Sequence, residues 1–230
     1  MPFHDRSLVS LYVALACAVW LNVACAYGPV PIALSCRQPL DPKVNNACVV
    51  SEKTLWRGAG LSPESAARLV ELGAQTIVSL ELLHDDRSAF NAATVSSRTN
   101  REIQYFQIRD WEPLVLLAPT LVDDHIAHFL AVVRTQPKPV FVHCRSGQNR
   151  TGIMVAAYQI FNGADIEETI VEMEKYGGFW SKPDADYLRT LTPKHRAAME
   201  LQITDWSQHL KREATIRCSG GKCIVSTNAQ

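Results

Sequence analysis

Residues 140–161 read VFVHCRSGQNRTGIMVAAYQIF, and this stretch decides the fold. Its first three residues, Val140 to Val142, form a short apolar run that is typical of a buried parallel strand. A loop containing Gly147 follows, and residues 149–161 then carry apolar side chains at helical spacing. We therefore predict a buried strand, a tight loop and a helix in direct succession.

The loop between this strand and this helix has the composition of an anion-binding site. A loop of this length at a helix N-terminus turns successive backbone N–H groups toward one point, and the helix dipole reinforces their positive potential. Gly147 allows a backbone conformation that a bulkier residue would resist. We expect a tetrahedral oxyanion to be bound by Arg145, Ser146, Gly147, Gln148, Asn149 and Arg150.

Cys144 begins the loop and is the predicted nucleophile. A thiol at a helix N-terminus beside an arginine ionises more readily than a free thiol, and the thiolate is the form that attacks phosphorus. Arg150 supplies a planar, two-pronged donor for two phosphoryl oxygens. Thr151 can donate its hydroxyl to the sulfur when the sulfur departs. The alternative, that Cys144 is a small buried apolar residue, explains none of these neighbours.

Two segments of the chain resemble a known family. HCRSGQNRTG, residues 143–152, resembles the signature of the protein-tyrosine phosphatase superfamily in its compact dual-specificity branch. LWRGAGLSP and LGAQTIVSL, within residues 55–80, resemble the opening of the atypical dual-specificity group from bacteria and fungi. The resemblance covers roughly residues 50–190. It implies an α/β, three-layer cysteine-phosphatase fold, with a central, mostly parallel sheet flanked by helices, and a mechanism without metal or cofactor.

The same resemblance implies a general acid on a loop before the nucleophile. Asp110 is the candidate because it follows the predicted strand at residues 103–108. Glu112 is the alternative, and a solvated loop acid is the structural explanation that competes with both. His143 is expected to form a structural hydrogen bond and not to act as a base.

Other signals place helices and strands around the loop. Ser62 is a predicted helix N-cap and Gly73 the matching C-terminal residue. Thr120 with Asp123 resembles a capping box for a later helix. Strands that alternate with helices indicate a three-layer α/β domain.

Two clusters of polar residues suggest metal sites but have simpler explanations. Asp124, His125 and His128 fit the charged face of a helix. Residues 84–86, with the sequence HDD, fit a solvated turn. No metal site is predicted.

Composition excludes some functional classes. The 230 residues contain 23 Lys and Arg and 23 Asp and Glu, so the formal net charge is zero. A nucleic-acid or anionic-membrane binder needs a broad basic face. The expected partner is a phosphorylated protein or a small phosphate ester, and we expect neither nucleic-acid binding nor a membrane span in the mature chain.

The N-terminus has the features of a targeting segment. Arg6 precedes an apolar run that ends at Leu21, and residues 24–26, ACA, form a small-residue cleavage pattern. We predict a signal peptide at 1–26, an extended segment at 27–50, the phosphatase domain at 51–213 and a disulfide hairpin and tail at 214–230. Export to the periplasm or medium follows, with an uncleaved membrane anchor as the alternative.

The cysteines of the mature chain agree with export. Cys218 and Cys223 flank a turn and are predicted to pair across a hairpin, and Cys36 would then pair with Cys48. Cys144 remains as the free thiol. Unpaired thiols throughout are the alternative.

The leading functional prediction is a metal-independent phosphomonoesterase acting on phosphotyrosine and on phosphoserine or phosphothreonine. An inositol polyphosphate phosphatase is the enzymatic alternative, although Arg145 is the single cation among the variable loop positions. A phosphate-binding pseudophosphatase is the non-catalytic alternative. An arsenate reductase or sulfur-transfer protein would also use a loop thiolate, but would depend on a reductant.

Overall fold

The computed structural model describes residues 38–227. The predicted signal peptide, most of the predicted extended segment and Cys36 lie outside this range. The described part has seven strands: β1 (Cys48–Ser51), β2 (Leu55–Ala59), β3 (Thr76–Ser79), β4 (Asn100–Gln107), β5 (Val140–Cys144), β6 (Ala214–Ser219) and β7 (Lys222–Thr227). Its eight helices are α1 (Pro63–Leu72), α2 (Arg87–Ala92), α3 (Leu114–Leu117), α4 (Pro119–Thr135), α5 (Asn149–Phe161), α6 (Ile166–Glu174), α7 (Ser181–Leu188) and α8 (Pro193–His209).

All seven strands form one sheet in the order β1-β2-β5-β3-β4-β6-β7. The four central strands run parallel, and the pairs at both edges are antiparallel. β5 lies between β2 and β3, and its residues are buried along its whole length. Strands covered on both faces need continuous apolar sequence, which explains why VFV at residues 140–142 predicts this strand correctly.

Two apolar cores lie on opposite faces of the sheet. One contains Leu69 of α1 and Phe90 of α2. The other contains Phe129 of α4, Met154 of α5 and Leu188 of α7. The predicted three-layer α/β fold, with a mostly parallel sheet, is confirmed.

The segments predicted to flank the domain are joined to its sheet. β1 pairs with β2, and Val44, just before it, is fully buried. The hairpin β6–β7 extends the sheet beside β4, with Cys218 and Cys223 as a disulfide-bonded cross-strand pair. Ala214, Thr215, Ile216 and Cys218 of β6 are buried, so the hairpin contributes to the core as well as to the sheet.

Local signals give mixed results at helix ends. Ser62 caps α1 in a capping box with Ser65, and Gly73 ends the helix at φ +97°. The capping box predicted at Thr120 is wrong, because α4 begins at Pro119 without a side-chain cap. Across residues 38–227, no helix is both long enough and apolar enough to cross a membrane.

Candidate active site

The strand-loop-helix unit lies at the carboxyl end of the central strand. Cys144 is the last residue of β5 and is 1% exposed, so it is buried where the phosphate loop, residues 144–150, begins. We call the space that this loop surrounds the pocket. Arg150 is the second residue of α5. The carboxyl ends of β3 and β4 lead into the neighbouring loops, which carry the remaining polar groups of the site.

Three successive carbonyl groups of the loop are hydrogen-bonded from behind. The donors are Gly60 N to Arg145 O at 3.2 Å, Asn46 Nδ2 to Ser146 O at 2.8 Å and Arg57 Nη2 to Gly147 O at 2.7 Å. Because the N–H and C=O of a trans peptide point in opposite directions, the amides that follow these carbonyls point away from the groups behind the loop, and that of Gln148 donates to Ser146 Oγ at 3.4 Å. The backbone of the loop therefore has the arrangement expected of an anion nest.

Gly147 cannot be replaced without disturbing this arrangement. Its φ of +72° is a left-handed conformation, and a Cβ there would lie 2.6 Å from the carbonyl oxygen of Gly58. Both the backbone conformation and the space require glycine. The structure thus supplies the physical reason for the glycine in this loop.

Arg57 is a site residue that the sequence analysis missed. It is 2% exposed, and its guanidinium lies 3.5 Å from the ring centroid of Tyr176. Burial lowers the pKa of Arg57, whereas Tyr176 and the Cys144 thiol act in the opposite direction. An arginine inside an otherwise apolar strand, LWRGA at residues 55–59, is the signal that could have identified it.

Arg150 is surrounded by acceptors on its pocket side. Its Nε donates to Glu112 Oε1 at 2.8 Å and its Nη1 to Leu80 O at 2.7 Å, while Glu81 Oε2 lies 3.5 Å from Nη1. Burial would lower the pKa of Arg150, but the thiol and the surrounding carboxylates outweigh it and raise that pKa. Glu112 therefore occupies a donor position that a phosphoryl oxygen would use.

Asp110 is held in a different way from Glu112. It is 4% exposed, and its Oδ1 accepts from the Trp111 backbone N–H at 2.9 Å. His125 Nδ1 lies 3.0 Å from the same oxygen. Both contacts use one carboxyl oxygen, so Oδ2 is the atom left to face a substrate. His125 was not predicted as a site residue, and no sequence spacing connects it with Asp110.

A third acid was missed entirely. Asp184, in the first turn of α7, is 3% exposed. Burial raises its pKa to about 8, with the Asn149 amide opposing this and the charges of Asp110 and Glu112 adding to it. Asp184 is thus protonated at neutral pH beside the phosphate loop. The sequence analysis did not predict helix α7, and therefore did not place Asp184 near the site.

The other predicted loop residues have distinct positions. Arg145 is exposed, and the Gln148 side chain points away from the pocket to donate to Tyr176 O at 3.0 Å. Asn149 packs against Gly178, where an added Cβ would lie 2.5 Å from Nδ2. The Thr151 hydroxyl is buried without a hydrogen-bond partner, so no bond to Cys144 is present. The backbone amides and Arg150 are therefore the candidate anion-binding groups of the loop.

His143 belongs to a buried ion pair beneath the loop. Its Nε2 lies 3.0 Å from Asp86 Oδ2, and the Tyr105 hydroxyl donates to the same oxygen at 3.1 Å. Burial would raise the pKa of Asp86, yet His143 and the hydroxyl lower it to about 2. The solvated turn predicted for residues 84–86 is wrong at Asp86, which is fully buried.

Asp124, His125 and His128 of α4, the cluster that suggested a metal site, contact different residues. His125 contacts Asp110, Asp124 accepts from Trp206 Nε1 at 2.8 Å, and His128 stacks on the Trp206 ring at 4.0 Å. Among residues 38–227, no group of three potential ligands converges on one point.

Comparison with known proteins agrees with this geometry. A family model described as "DSP-PTPase phosphatase fused to NAD+ Kinase" matches residues 38–188, more than half of the chain. The dual specificity protein phosphatase TpbA of Pseudomonas aeruginosa is 33% identical over 156 residues. That alignment covers 64% of this chain and 61% of the length of TpbA.

Solved structures show the same fold. The crystal structure of P. aeruginosa TpbA superposes with a TM-score of 0.55 and 26% identity, over 71% of this chain and 95% of that one. The core catalytic domain of the phosphatase SIW14 from Saccharomyces cerevisiae has a TM-score of 0.55 at 16% identity, over 74% and 97% of the two chains, and indicates the fold alone. The predicted resemblance is confirmed: this chain belongs to the DSP-PTPase phosphatase family, in the atypical dual-specificity branch of the protein-tyrosine phosphatase superfamily.

Proposed function

We propose that this protein is a cysteine-dependent phosphomonoesterase that acts on phosphorylated protein side chains, with phosphotyrosine as its main substrate. One observation carries the proposal. Cys144 lies at the start of a loop whose carbonyls are tied back and whose amides point away from the groups behind it, beside the Arg150 guanidinium. This arrangement binds a tetrahedral dianion directly in front of a sulfur nucleophile.

In the first step, the Cys144 thiolate attacks phosphorus. The P–S bond forms as the bond from phosphorus to the ester oxygen breaks, and that oxygen takes a proton from Asp110. The loop amides and Arg150 bind the three equatorial oxygens as charge develops. Asp110 fits the acid role because only its Oδ1 is engaged, by Trp111 N and His125.

In the second step, water attacks the phosphocysteine. Asp110, now a carboxylate, takes a proton from the water, the P–S bond breaks, and inorganic phosphate and the thiolate are released. The buried Thr151 hydroxyl has no other partner and would donate to the departing sulfur. A metal ion has no part in either step.

The binding of substrate requires the displacement of Glu112 from Arg150. Its carboxylate is 2.8 Å from Arg150 Nε, where a phosphoryl oxygen would compete for the same donor. A dianion outcompetes it because two oxygens can engage the guanidinium at once. The substrate thus displaces the Glu112 carboxylate. This displacement frees the loop that carries Asp110 to change position.

The TpbA relative supports phosphotyrosine as the substrate class, since one of its crystal structures is described as a complex with pTyr. The charges of the site support a singly phosphorylated group. The acids Glu81, Asp110 and Glu112 lie near Arg150, and inositol polyphosphates would require several further cations there.

We further propose that the protein is exported after removal of residues 1–26. Cys48 and the pair Cys218–Cys223 are disulfide-bonded, whereas Cys144 is free. Disulfides persist in oxidising compartments. Alkylation and mass spectrometry of protein taken from the periplasm and medium should find Cys144 as the modified thiol; a Cys144 disulfide, or retention in the cytosol, would contradict the proposal.

The test of the proposed activity is hydrolysis of p-nitrophenyl phosphate by the mature chain with EDTA, beside Cys144→Ser. We expect activity that survives EDTA and is lost in the variant. A panel of phosphopeptides and inositol phosphates then ranks the substrates. An inactive, freshly reduced wild type that still binds phosphate would identify a pseudophosphatase.

A further inference from the structure

Asp110 has two hydrogen-bonding neighbours in the part of the chain that the structure describes. The backbone N–H of Trp111 donates to its Oδ1 at 2.9 Å, and Nδ1 of His125 lies 3.0 Å from the same oxygen. Trp111 is the next residue along the loop, so its N–H moves with the acid. The His125 contact is different, because it joins Asp110 to α4, a helix outside that loop.

The turn of α4 that carries His125 is fixed by its neighbours. Ile126, the next residue, is fully buried in the core. Asp124, the residue before, accepts a hydrogen bond from Trp206 Nε1 of α8 at 2.8 Å. The His125 side chain is itself only 12% exposed. His125 therefore presents Nδ1 to Asp110 from a helix that packing and a hydrogen bond hold in place.

The acid role of Asp110 determines which nitrogen of His125 carries the proton. The proton that Asp110 donates must be on Oδ2, because Oδ1 faces Trp111 N and His125. Oδ1 is then the carbonyl oxygen, which can only accept, so His125 must present Nδ1–H. A neutral imidazole has one N–H, and its hydrogen-bond partner sets which nitrogen holds it. The proton of His125 thus stays on the ring during the reaction.

The hydrogen bond from His125 becomes stronger as the reaction proceeds. When Asp110 gives its Oδ2 proton to the ester oxygen, a carboxylate forms on a residue that is 4% exposed. A buried carboxylate without donors is costly, whereas a hydrogen bond to an ionised acceptor is about twice as strong as one to a neutral acceptor. The Nδ1–H bond therefore stabilises the transition state more than the bound substrate, and this lowers the barrier to proton transfer.

We infer that His125 is a positioning residue for the general acid. From α4 it holds Oδ1 of Asp110 through Nδ1–H, directs Oδ2 to the ester oxygen and stabilises the carboxylate that proton transfer leaves. The O–H bond of Asp110 breaks as the O–H bond of the leaving group forms, and His125 keeps its own proton. This inference rests on the proposed function and on Asp110 as its acid.

The test measures kcat/KM on phenyl phosphate, whose leaving group needs a proton, and on p-nitrophenyl phosphate, whose leaving group needs it less. His125→Phe keeps a planar ring but removes the donor. We expect it to lower kcat/KM about 10-fold on phenyl phosphate and less than about twofold on p-nitrophenyl phosphate. Activity retained on the second ester also shows that the variant is folded.

Two amide variants and a matched histidine sharpen the test. His125→Asn can place an amide N–H where Nδ1 lies and should restore most of the activity on phenyl phosphate. His125→Gln extends its amide toward the position of Nε2 and should not. The control is His195→Phe, because His195 also contacts a carboxylate at 3.0 Å, but that of Asp123. It should retain both values of kcat/KM.

A double variant shows whether the effect passes through Asp110. On phenyl phosphate, His125→Phe/Asp110→Asn should be about as slow as Asp110→Asn alone, because the Asn side chain has no acidic proton for His125 to direct.

Three results would overturn the inference. Equal losses on the two esters in His125→Phe would show a purely structural role. Rescue by His125→Gln and not by His125→Asn would place the contact at Nε2. Losses that multiply in the double variant would show that His125 acts independently of Asp110. Wild-type protein that is inactive on both esters would instead reject the proposed function, and the inference with it.

Discussion

The phosphate loop and the loop at residues 108–113, which we call the acid loop, meet where Arg150 donates to Glu112 but are held in different ways. Carbonyls of the phosphate loop are fixed by Asn46, Arg57 and Gly60, which all come from the region around β2 behind it. The acid loop is held by the two acids that are its candidate catalytic residues. Glu112 accepts a hydrogen bond from Arg150, and Asp110 contacts His125. We therefore expect the phosphate loop to keep its contacts when substrate binds, whereas the acid loop must exchange contacts.

The largest expected effect comes from Arg150, which belongs to the phosphate loop and contacts the acid loop through Glu112. Arg150→Lys keeps the charge but loses the planar pair of donors, so we expect kcat/KM on p-nitrophenyl phosphate to fall about 10³-fold. Arg68→Lys, at an ion-paired position on α1 remote from the pocket, is the control. A loss below tenfold would mean that Arg150 contributes charge alone.

The acid loop is tested by Asp110→Asn beside Glu112→Gln. We expect Asp110→Asn to lower kcat about 10²-fold on phenyl phosphate, whose leaving group needs a proton, and less on p-nitrophenyl phosphate. Glu112→Gln should lower the inhibition constant for inorganic phosphate, because the competing carboxylate is gone. The reverse pattern would exchange the roles of the two acids.

Arg57→Met tests the support of the phosphate loop. This variant keeps the side-chain volume but leaves Gly147 O without its donor. We expect phosphate to bind about 10-fold more weakly, since the amides of the loop are no longer held toward the pocket. Arg217→Met, which removes a surface ion pair with Glu102, should change nothing. Unaltered phosphate binding in Arg57→Met would show that the loop holds its shape without this anchor.

The prediction with the smallest expected effect on activity concerns stability. Since burial raises the pKa of Asp184 from 3.8 to about 8, its contribution to stability is complete below pH 4 and is lost as pH rises toward 8. Asp184→Asn should therefore have little effect on Tm at pH 4 and raise it at pH 8, by about 1 kcal/mol of unfolding free energy per pH unit between. Asp186→Asn, exposed on the same helix, is the control; a parallel shift at both pH values would contradict the assignment.

The phosphate loop and the contacts that complete the site also differ in how far the sequence predicts them. The phosphate loop is local: strand, nucleophile, glycine, arginine and helix lie within residues 140–161, and periodicity with one motif is enough to place them. The contacts that complete the site are distant in sequence. Arg57 meets Gly147 across 90 residues, and Asp86, which directly precedes α2, meets His143 of β5. Helix α7 carries Asp184 without a clear apolar period, so neither helix nor acid was predicted.

The most direct test of the account is detection of the covalent intermediate. Wild-type protein is mixed with a ³²P-labelled phosphotyrosyl peptide in EDTA, quenched in acid within the first turnover and mapped by proteolysis, beside Cys144→Ser. The account predicts label on the peptide that contains Cys144 and none in the variant. Turnover without label on Cys144, or label that persists in Cys144→Ser, would contradict it.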